Sequence, residues 1–404
     1  MAQTLKFGNG NFATKAGSTL CYDDQNGNFK PIPMDFTRAS TATRVNKQGL
    51  IEVVKSNVPR IDYTDTTNGV LLLEKAATNL FPQSQYFISG SGWSAANLTR
   101  TTDIIISPDG LLTGSKIEAT GTGGHPLYDD LSISNGTYSL SVFVKKGVNT
   151  SKASVSDGYS TTNISFDLDT GIVEANTGAT LNPFIEAYND GWFRVGYSFA
   201  VTASQTQPAL YLYDANGQQS FTGNGETMYI WGFQLEQSSQ SSSYIPSQGS
   251  ASTRVAETAS GAGNSEVFSD SQGVLFVDFN YENINPNWSG LGIMDSDGTV
   301  DRVIFAVQNN TQNFKVYLQS GGVVRWNPTV IIDVTKYQKV AVKYKSNDNA
   351  LWINGFEVAS DNTVSIMPSG LHKLSYFGYG NLEPTYGKTK EIGYYDTILT
   401  DLEL

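Results

Sequence analysis

Apolar and polar residues alternate with a period of two in many short stretches of this chain. Such alternation predicts β-strands that bury one face. The clearest examples are residues 136–144, 191–199 and 228–235. In the last of these, the side chains predicted to share the buried face are Tyr229, Trp231, Phe233 and Leu235. The pattern predicts an all-β protein.

Strand spacing and turn signals divide the 404 residues into three predicted regions. Residues 1–77 hold short, irregular strand-like pieces that are too few to bury a core alone, so we expect this region to fold against a neighbour, either the next domain or another subunit. Residues 78–257 contain roughly eight strands without helical periodicity between them, which predicts a jelly-roll β-sandwich. Residues 258–404 repeat the all-β pattern, with Asn354-Gly355 as a hairpin turn, and predict a second sandwich.

The composition agrees with an all-β fold and limits the classes of molecule that the protein is expected to bind. Charged residues make up 16% of the chain and aromatic residues 12%, and there are 39 glycines. The formal net charge of −12 argues against a nucleic-acid partner, because phosphate binding needs a surplus of Lys and Arg. A neutral polar surface rich in aromatic residues is better suited to sugars.

Neither a secretion signal nor a membrane segment is predicted. Residues 1–7 lack the apolar core of a signal peptide, and no apolar run approaches the ~18 residues of a membrane span. We therefore expect synthesis in the cytoplasm of the host, with no membrane insertion. The one cysteine, Cys21, leaves no pair for an intrachain disulfide.

The first 80 residues carry a resemblance to a known class of protein. This opening of the chain resembles that of many tailed-bacteriophage tail-fibre and virion structural proteins, in which a carbohydrate-binding-like jelly roll usually follows. The stretches that carry this resemblance are 36–43, 58–63, 71–74 and 78–80. Later stretches that look like strands of that jelly roll are 191–194, 231–236 and 243–246.

The last region is similar to a concanavalin A-like (laminin-G-like) lectin domain. The similarity lies in residues 339–344, 351–355 and 391–404. Together the two resemblances imply an N-terminal attachment region at 1–77, a jelly roll at 78–257 and a concanavalin A-like sandwich at 258–404.

These resemblances imply a non-enzymatic virion component, either a tail fibre or a head fibre or appendage. Its sandwiches would bind cell-surface or mucus polysaccharides, and its N-terminal region would hold it to other virion proteins. Fibres of this kind are usually homotrimers, and repeated copies make weak sites useful through avidity. The alternative is a purely structural decoration or assembly protein without a glycan ligand. A polysaccharide depolymerase is a third, less favoured hypothesis.

The charged residues do not form a recognisable catalytic motif. Glycosidases of the concanavalin type need closely spaced carboxylates along one strand, with the nucleophile and the acid/base ~5 Å apart. No such run is present, and the two histidines, His125 and His372, are far apart in sequence without a supporting motif. We predict no enzymatic activity and no catalytic residues.

A short acidic segment is the one candidate metal site. Asp295, Asp297 and Asp301 place oxygen ligands around Gly298, as a Ca²⁺-binding loop does. The segment lacks the distal Glu of an EF-hand, and Asp-Gly is itself a turn former. The turn is therefore the favoured interpretation and calcium the alternative.

Aromatic residues out of phase with the buried faces are the candidate sugar-binding residues. Trp192 and Arg194 fall on the side opposite Phe193 and Val195, and Tyr211 and Tyr213 alternate against leucines. The equivalent candidates in the last region are Trp288, Trp326 and Tyr379. Such rings stack on the apolar faces of pyranoses when they are exposed. The alternative is that loops or a partner subunit cover them.

Overall fold

The computed structural model describes residues 3–23, 30–158, 163–177, 181–202, 205–281, 288–308, 312–379, 382 and 384–404. Nearly all the secondary structure in these ranges is β-strand, so the predicted all-β class is confirmed. A 3-10 turn spans Asn189–Gly191. Within the same ranges no helix has the length and apolar character needed to cross a membrane.

The strands are numbered in chain order. They begin with β1 (Leu5–Gly8), β2 (Thr14–Lys15), β3 (Ser18–Asp23), β4 (Lys30–Thr37), β5 (Ala42–Val45), β6 (Ile51–Val54), β7 (Arg60–Asp62), β8 (Val70–Leu73) and β9 (Ala77–Asn79). They continue with β10 (Ser94–Ala95), β11 (Leu98–Ile105), β12 (Gly114–Ala119), β13 (Thr122–Gly124), β14 (Pro126–Tyr128), β15 (Leu131–Ser132), β16 (Gly136–Lys146), β17 (Lys152–Ser156), β18 (Asn163–Asp167), β19 (Ile172–Thr177), β20 (Leu181–Ala187), β21 (Trp192–Val201), β22 (Gln205–Thr206), β23 (Ala209–Leu212), β24 (Ser220–Thr222), β25 (Thr227–Glu236) and β26 (Ser252–Arg254).

The later strands are β27 (Thr258–Ala262), β28 (Gln272–Tyr281), β29 (Trp288–Met294), β30 (Arg302–Gln308), β31 (Asn313–Ser320), β32 (Val323–Trp326), β33 (Thr329–Ile331), β34 (Gln338–Lys345), β35 (Asn349–Ile353), β36 (Phe356–Asp361), β37 (Lys373–Ser375) and β38 (Gly387–Tyr395).

The chain forms two compact units, and each contains more than one stretch of sequence. The terminal unit consists of Met1–Thr41, Val54–Lys75 and Val255–Leu404. The inserted unit consists of Ala42–Val53 and Ala76–Arg254. The sequence placed residues 1–77 in a region of their own, whereas the structure divides them between the two units.

The inserted unit contains two six-stranded sheets. One has the order β10-β14-β23-β17-β18-β19, and the other has the order β11-β12-β25-β16-β21-β20. Buried side chains from both sheets pack into one hydrophobic core. Representative members are Leu127, Val155, Ile164 and Leu210 from the first sheet and Leu140, Val142, Val195 and Tyr197 from the second. The alternation predicted for residues 136–144 and 191–199 matches this core.

The predicted alternation fails in β25 because the strand contains a β-bulge at Gly232. Two residues of β25 lie between the pairs Ser141↔Gln234 and Phe143↔Trp231, where β16 has one. Gly232 has a φ of 64°, which a residue with a side chain adopts only at a cost. Phe233 and Leu235 therefore face the sandwich core, whereas Trp231 points to the other side of the sheet.

That other side of the sheet is covered. Trp231 packs there with Phe143, Trp192, Tyr244 and Ile51, the last of which belongs to β6. Tyr244 also accepts a hydrogen bond at its backbone oxygen from the hydroxyl of Thr43 in β5. The β5–β6 hairpin thus gives the inserted unit a second, smaller apolar layer outside its main sandwich.

In the terminal unit, two groups of strands enclose one core. The first strand group pairs in the order β7, β8, β38, β28, β34, β35 and β36. The second strand group pairs in the order β3, β4, β27, β37, β29, β30 and β31, with β32 and β33 also on β31. Core residues include Leu275, Val277, Val340 and Ile392 from the first group and Phe36, Ile293, Phe305 and Val316 from the second.

Strands from the beginning of the chain complete this sandwich. β1 pairs with β38 over four residues, and β8 pairs with another part of β38. β4 pairs with β27 in the second strand group. Leu5, Phe7 and Met34 from these early strands are fully buried in the core. The N-terminal strands are therefore structural parts of the terminal unit.

A buried ion network ties these strands together. Glu257 accepts hydrogen bonds from Arg38 Nη1 at 2.6 Å and from Arg60 Nε at 2.9 Å, and also from Arg60 Nη2. Glu74 pairs with Arg60 Nη1 at 2.8 Å, and its backbone N–H donates to Glu257 at 2.9 Å. Arg38 Nη2 also donates to the backbone oxygen of Lys55 at 2.6 Å. All four charged side chains are buried.

The environment of Arg60 shows why the network stays charged. Burial works to lower the pKa of Arg60, but the charges of Glu257 and Glu74 outweigh it and raise that pKa above its ordinary value. A buried charge in such a network is stable only while its partners remain, because an unpaired charge in the interior is strongly unfavourable.

Removing the central carboxylate should strongly destabilise the terminal unit. We expect Glu257→Gln to lower its free energy of unfolding by about 3–5 kcal/mol, since both Arg38 and Arg60 lose their main counter-charge. The control is Glu266→Gln, whose exposed carboxylate lies 3.9 Å from Lys30 and should contribute less than about 1 kcal/mol. Urea denaturation of the full chain measures both, and equal midpoints for the two variants would contradict this account.

A second prediction concerns the bulge. A Cβ at Gly232 would lie 2.8 Å from Phe143 Cδ2, whereas Gly225 has a φ of 87° and nothing within 4 Å. Both alanine variants carry the strain of a positive φ, about 1–2 kcal/mol, but only Gly232→Ala also disturbs packing. We expect Gly232→Ala to be less stable than Gly225→Ala by at least about 1 kcal/mol in thermal or urea unfolding. Equal stability would show that the bulge tolerates a side chain.

Candidate functional site: aromatic sheet faces

Trp192 and Arg194 lie on the predicted side of β21, but they are buried. Trp192 is 1% exposed and its Nε1 donates to the backbone oxygen of Ile106 at 3.0 Å. Arg194 donates to Ser141 Oγ at 3.0 Å, and its guanidinium lies 5.5 Å from the ring centre of Phe143. Alternation identified the face correctly, but distant parts of the sequence cover it. The prediction that Trp192 and Arg194 bind sugar is therefore wrong.

Trp326 is also a core residue and not an exposed platform. It is 8% exposed and packs in the core of the terminal unit. A register shift in the β31–β32 pairing places Trp326 opposite Leu318, which is fully buried. Paired residues point to the same side of a sheet, so Trp326 follows Leu318 inward. The prediction of a sugar-binding role for Trp326 is wrong for this reason.

Tyr211 and Tyr213 contribute to a half-exposed patch on the inserted unit. Tyr211 pairs with Pro126 and Ser154 in the neighbouring strands, while Leu210 and Leu212 enter the core. Tyr128 lies on the same side of the sheet, two residues after Pro126 in β14. We call Tyr128, Tyr211 and Tyr213 the tyrosine face. All three rings are half-buried.

The tyrosine face is electrically balanced. Burial raises the pKa of Tyr211, and Tyr213 and Tyr128 raise it further, so the phenol is neutral and able to donate hydrogen bonds. Lys152 lies beside Tyr213 and pairs with Glu174 at 2.6 Å. Its charge is therefore already matched by a carboxylate. The face therefore offers hydroxyl groups and aromatic rings.

Trp288 and Tyr379 belong to a second patch, on the terminal unit. In β30, Val303 and Phe305 point into the core, so Arg302 and Ile304 point away from it. Their neighbours in the register include Tyr317 of β31, which pairs with Ile304. We call Trp288, Arg302, Lys315, Tyr317 and Tyr379 the aromatic–cation face.

The rings and cations of this face alternate in space. The Trp288 and Tyr317 rings meet edge to face, with centres 5.7 Å apart and planes at 75°. Lys315 Nζ lies 5.6 Å from the centre of the Trp288 ring. The Arg302 guanidinium lies 4.9 Å from the Tyr379 ring and 5.8 Å from the Tyr317 ring. These contacts link five side chains into one continuous surface.

The aromatic–cation face is partly open to solvent. Tyr379 is 47% exposed, and Trp288, Lys315 and Tyr317 are half-buried, whereas Arg302 is buried at 7% exposure. Trp288 and Tyr317 pack on a small apolar cluster of Met294, Ile304 and Ala306. A ring held on one side by such packing still presents its other side or edge, which is what stacking on a sugar requires.

The sequence named only two of the five residues on this face. Arg302, Lys315 and Tyr317 were missed. Lys315 and Tyr317 alternate with buried residues in β31, whereas Arg302 begins a strand in which residues 302–307 are all buried. That alternation was a usable signal for outward orientation. It contained no information that β29, β30 and β31 would be neighbours, and the face exists only because they are.

The candidate calcium segment is a hydrogen-bonded turn. Asp295 accepts hydrogen bonds from the backbone N–H groups of Gly298, Val300 and Asp301. Asp301 accepts from the N–H groups of Gly321 and Ser369. Among the described residues, no group of three or more His, Cys, Asp or Glu side chains is placed to hold a metal ion. Backbone N–H groups thus occupy the carboxylates of Asp295 and Asp301, as the favoured turn interpretation expects, and Asp295, Asp297 and Asp301 are not grouped as metal ligands.

No protein-family model matches the chain, and no curated protein matches it. Solved structures matched at low similarity include the CBM40 module of the Ruminococcus gnavus IT-sialidase bound to alpha2,3-sialyllactose, at 15% identity and a TM-score of 0.30, covering 36% of this chain and 91% of that chain. A Bacteroides ovatus protein classed as carbohydrate-binding is 12% identical, with a TM-score of 0.27, covering 82% of this chain and 84% of that chain.

Trypanosoma rangeli sialidase in complex with the inhibitor DANA is matched at 10% identity and a TM-score of 0.29, covering 96% of this chain and 65% of that chain. These matched structures are thus carbohydrate-binding proteins and sialidases. Identities and TM-scores this low assign neither a family nor a ligand to this chain.

Proposed function

We propose that this protein binds glycans through the aromatic–cation face of its terminal unit, without enzymatic activity. The observation that carries the proposal is the grouping of Trp288, Tyr317 and Tyr379 with Lys315 on one partly open sheet face, where the buried Arg302 guanidinium contacts both tyrosine rings. Aromatic rings offer pyranoses an apolar stacking surface, and neighbouring N–H donors bind sugar hydroxyl groups. The tyrosine face of the inserted unit is a second, subsidiary surface of the same kind.

The setting of this activity is proposed to be a bacteriophage virion. The resemblance of residues 36–43, 58–63 and 71–74 to tail-fibre and virion structural proteins supports this setting. In it, the protein is a tail fibre or head appendage that joins other virion proteins through its N-terminal residues, forms a homotrimer and contacts host-surface or mucus polysaccharides. Several linked copies would raise the avidity of a weak sugar site.

Glycan-array binding by the full chain tests the first proposal. We expect binding that falls about tenfold or more in Trp288→Ala, because the main stacking surface is lost. The control is Phe356→Ala, which removes a ring that is 74% exposed in the same unit but lies on β36. Tyr211→Ala reports on the tyrosine face.

The possible outcomes separate the hypotheses. Loss in Trp288→Ala but not in Phe356→Ala supports the aromatic–cation face, provided that the variant unfolds at the temperature of the parent chain. Loss only in Tyr211→Ala would move the site to the inserted unit. An absence of binding to every glycan at high protein concentration would sink the proposal and favour the purely structural alternative.

The virion proposal has its own measurement. Particles of the phage that encodes the chain should retain the protein through density-gradient banding. In solution, sedimentation equilibrium should give three times the 43.8 kDa mass of one chain. A protein absent from banded particles would refute the virion setting, and a monomer at all concentrations would refute the trimer.

A further inference from the structure

The distribution of charge around the aromatic–cation face departs from that of the whole chain. The full sequence has 38 acidic and 26 basic residues. Yet the paired strands β37, β29, β30, β31, β32 and β33 contain no Asp or Glu. The basic residues in these strands are Arg302, Lys315, Arg325 and Lys373.

Three of these basic residues share the outward side of the sheet. Arg302 pairs with Met294, and Met294 pairs in turn with Lys373 on the next strand. Lys315 pairs with Ala306, which lies on the same side of β30 as Arg302. Since residues opposite one another point the same way, all three cations are on the side that carries the aromatic rings. Arg302 is buried on that side, so Lys315 and Lys373 are the two that reach solvent.

Lys315 is the cation best placed to contact a ligand. Its Nζ lies over the Trp288 ring, and among the described residues no carboxylate is within ion-pair distance of it. In this respect it differs from Lys152, which lies beside Tyr213 of the tyrosine face and pairs with Glu174. An ammonium beside a stacking ring can bind an anionic substituent of the sugar that lies on that ring.

The acidic turn that contains Asp295 and Asp297 lies at the other end of β29 from Trp288. Asp295 and Asp297 follow the last residue of β29, whereas Trp288 is its first. Seven residues of extended strand separate the two ends by roughly 20 Å, about two Debye lengths at physiological ionic strength. The acidic turn therefore does little to cancel the positive potential around Trp288 and Lys315.

We propose that the glycan bound at the aromatic–cation face is acidic, with a carboxylate or sulfate group bound by Lys315 while its ring stacks on Trp288. This inference rests on the proposed glycan site and specifies the class of its ligand. The chain as a whole has a net charge of −12 and repels anions, whereas the surface around Lys315 attracts them. The acidic group of the glycan is therefore directed to Lys315, which also orients the bound sugar.

The test uses the full chain on an array of matched neutral, carboxylated and sulfated glycans. We expect the bound members to be acidic. For the best-bound member, the carboxyl-methylated or desulfated derivative should bind about tenfold more weakly by calorimetry. Comparison of the two derivatives distinguishes a carboxylate from a sulfate. Binding of the acidic form should also weaken as NaCl is raised, because salt screens the ion pair.

Two lysine variants identify the residue. Lys315→Gln should abolish the preference for the acidic glycan over its neutral derivative while keeping the weaker neutral binding. Lys336→Gln is the control, since its exposed ammonium lies 3.6 Å from Asp333 and off the face. Trp288→Ala should lower the affinity for both forms, which separates stacking from charge.

Each result decides between the two proposals. Equal binding of an acidic glycan and its neutral derivative would overturn the acidic ligand but leave glycan binding standing. A preference that survives in Lys315→Gln would overturn the role of Lys315. An absence of binding to all array members would remove the glycan site and with it this inference.

Discussion

The terminal unit depends on one buried carboxylate. Glu257 accepts from Arg38 and Arg60, and the backbone N–H of Glu74 donates to it. Removing four charged side chains from water is unfavourable, and only a nearly complete set of partners compensates for it. The network therefore specifies which chain segments must lie together. It requires residues from the first 75 positions to meet a residue that follows them by more than 180 positions in the sequence.

This requirement explains why the early strands do not form a region of their own. Arg38, Glu74 and Glu257 lie within four residues of points where the chain passes between its two units, and the backbone of Lys55 accepts from Arg38 close to another such point. The stretches that carry the resemblance to virion proteins contain Arg38, Arg60 and Glu74. Those stretches supply three of the four charged side chains of the network. Their polar residues are buried by partners that are distant in sequence, so each stretch looks irregular when it is considered as an isolated strand.

Much of the fold could be predicted from the sequence, because alternate residues of a strand point to the same side of the sheet. The buried side of a strand can therefore be recognised from a few consecutive residues. The faces of β16 and β21 and the all-β class followed from that pattern. Which strands become neighbours, in contrast, depends on residues that are distant in the sequence. Alternation put Trp192 on the outer side of its sheet but could not show that the β5–β6 hairpin covers it. The Gly232 bulge likewise reversed Trp231, since a single extra residue changes the side of every residue beyond it.

The two units differ in what covers the outer apolar side of a sheet, and this difference explains why the aromatic–cation face is suited to binding. On the inserted unit, a hairpin that is continuous with the chain covers the apolar side of the sheet. On the terminal unit, Met294, Ile304 and Ala306 are covered by Trp288 and Tyr317 themselves. Rings that already pack on one side lose little conformational freedom when a ligand stacks on the other. The packing that protects the sheet from water therefore also preorganises the surface that we propose binds the glycan.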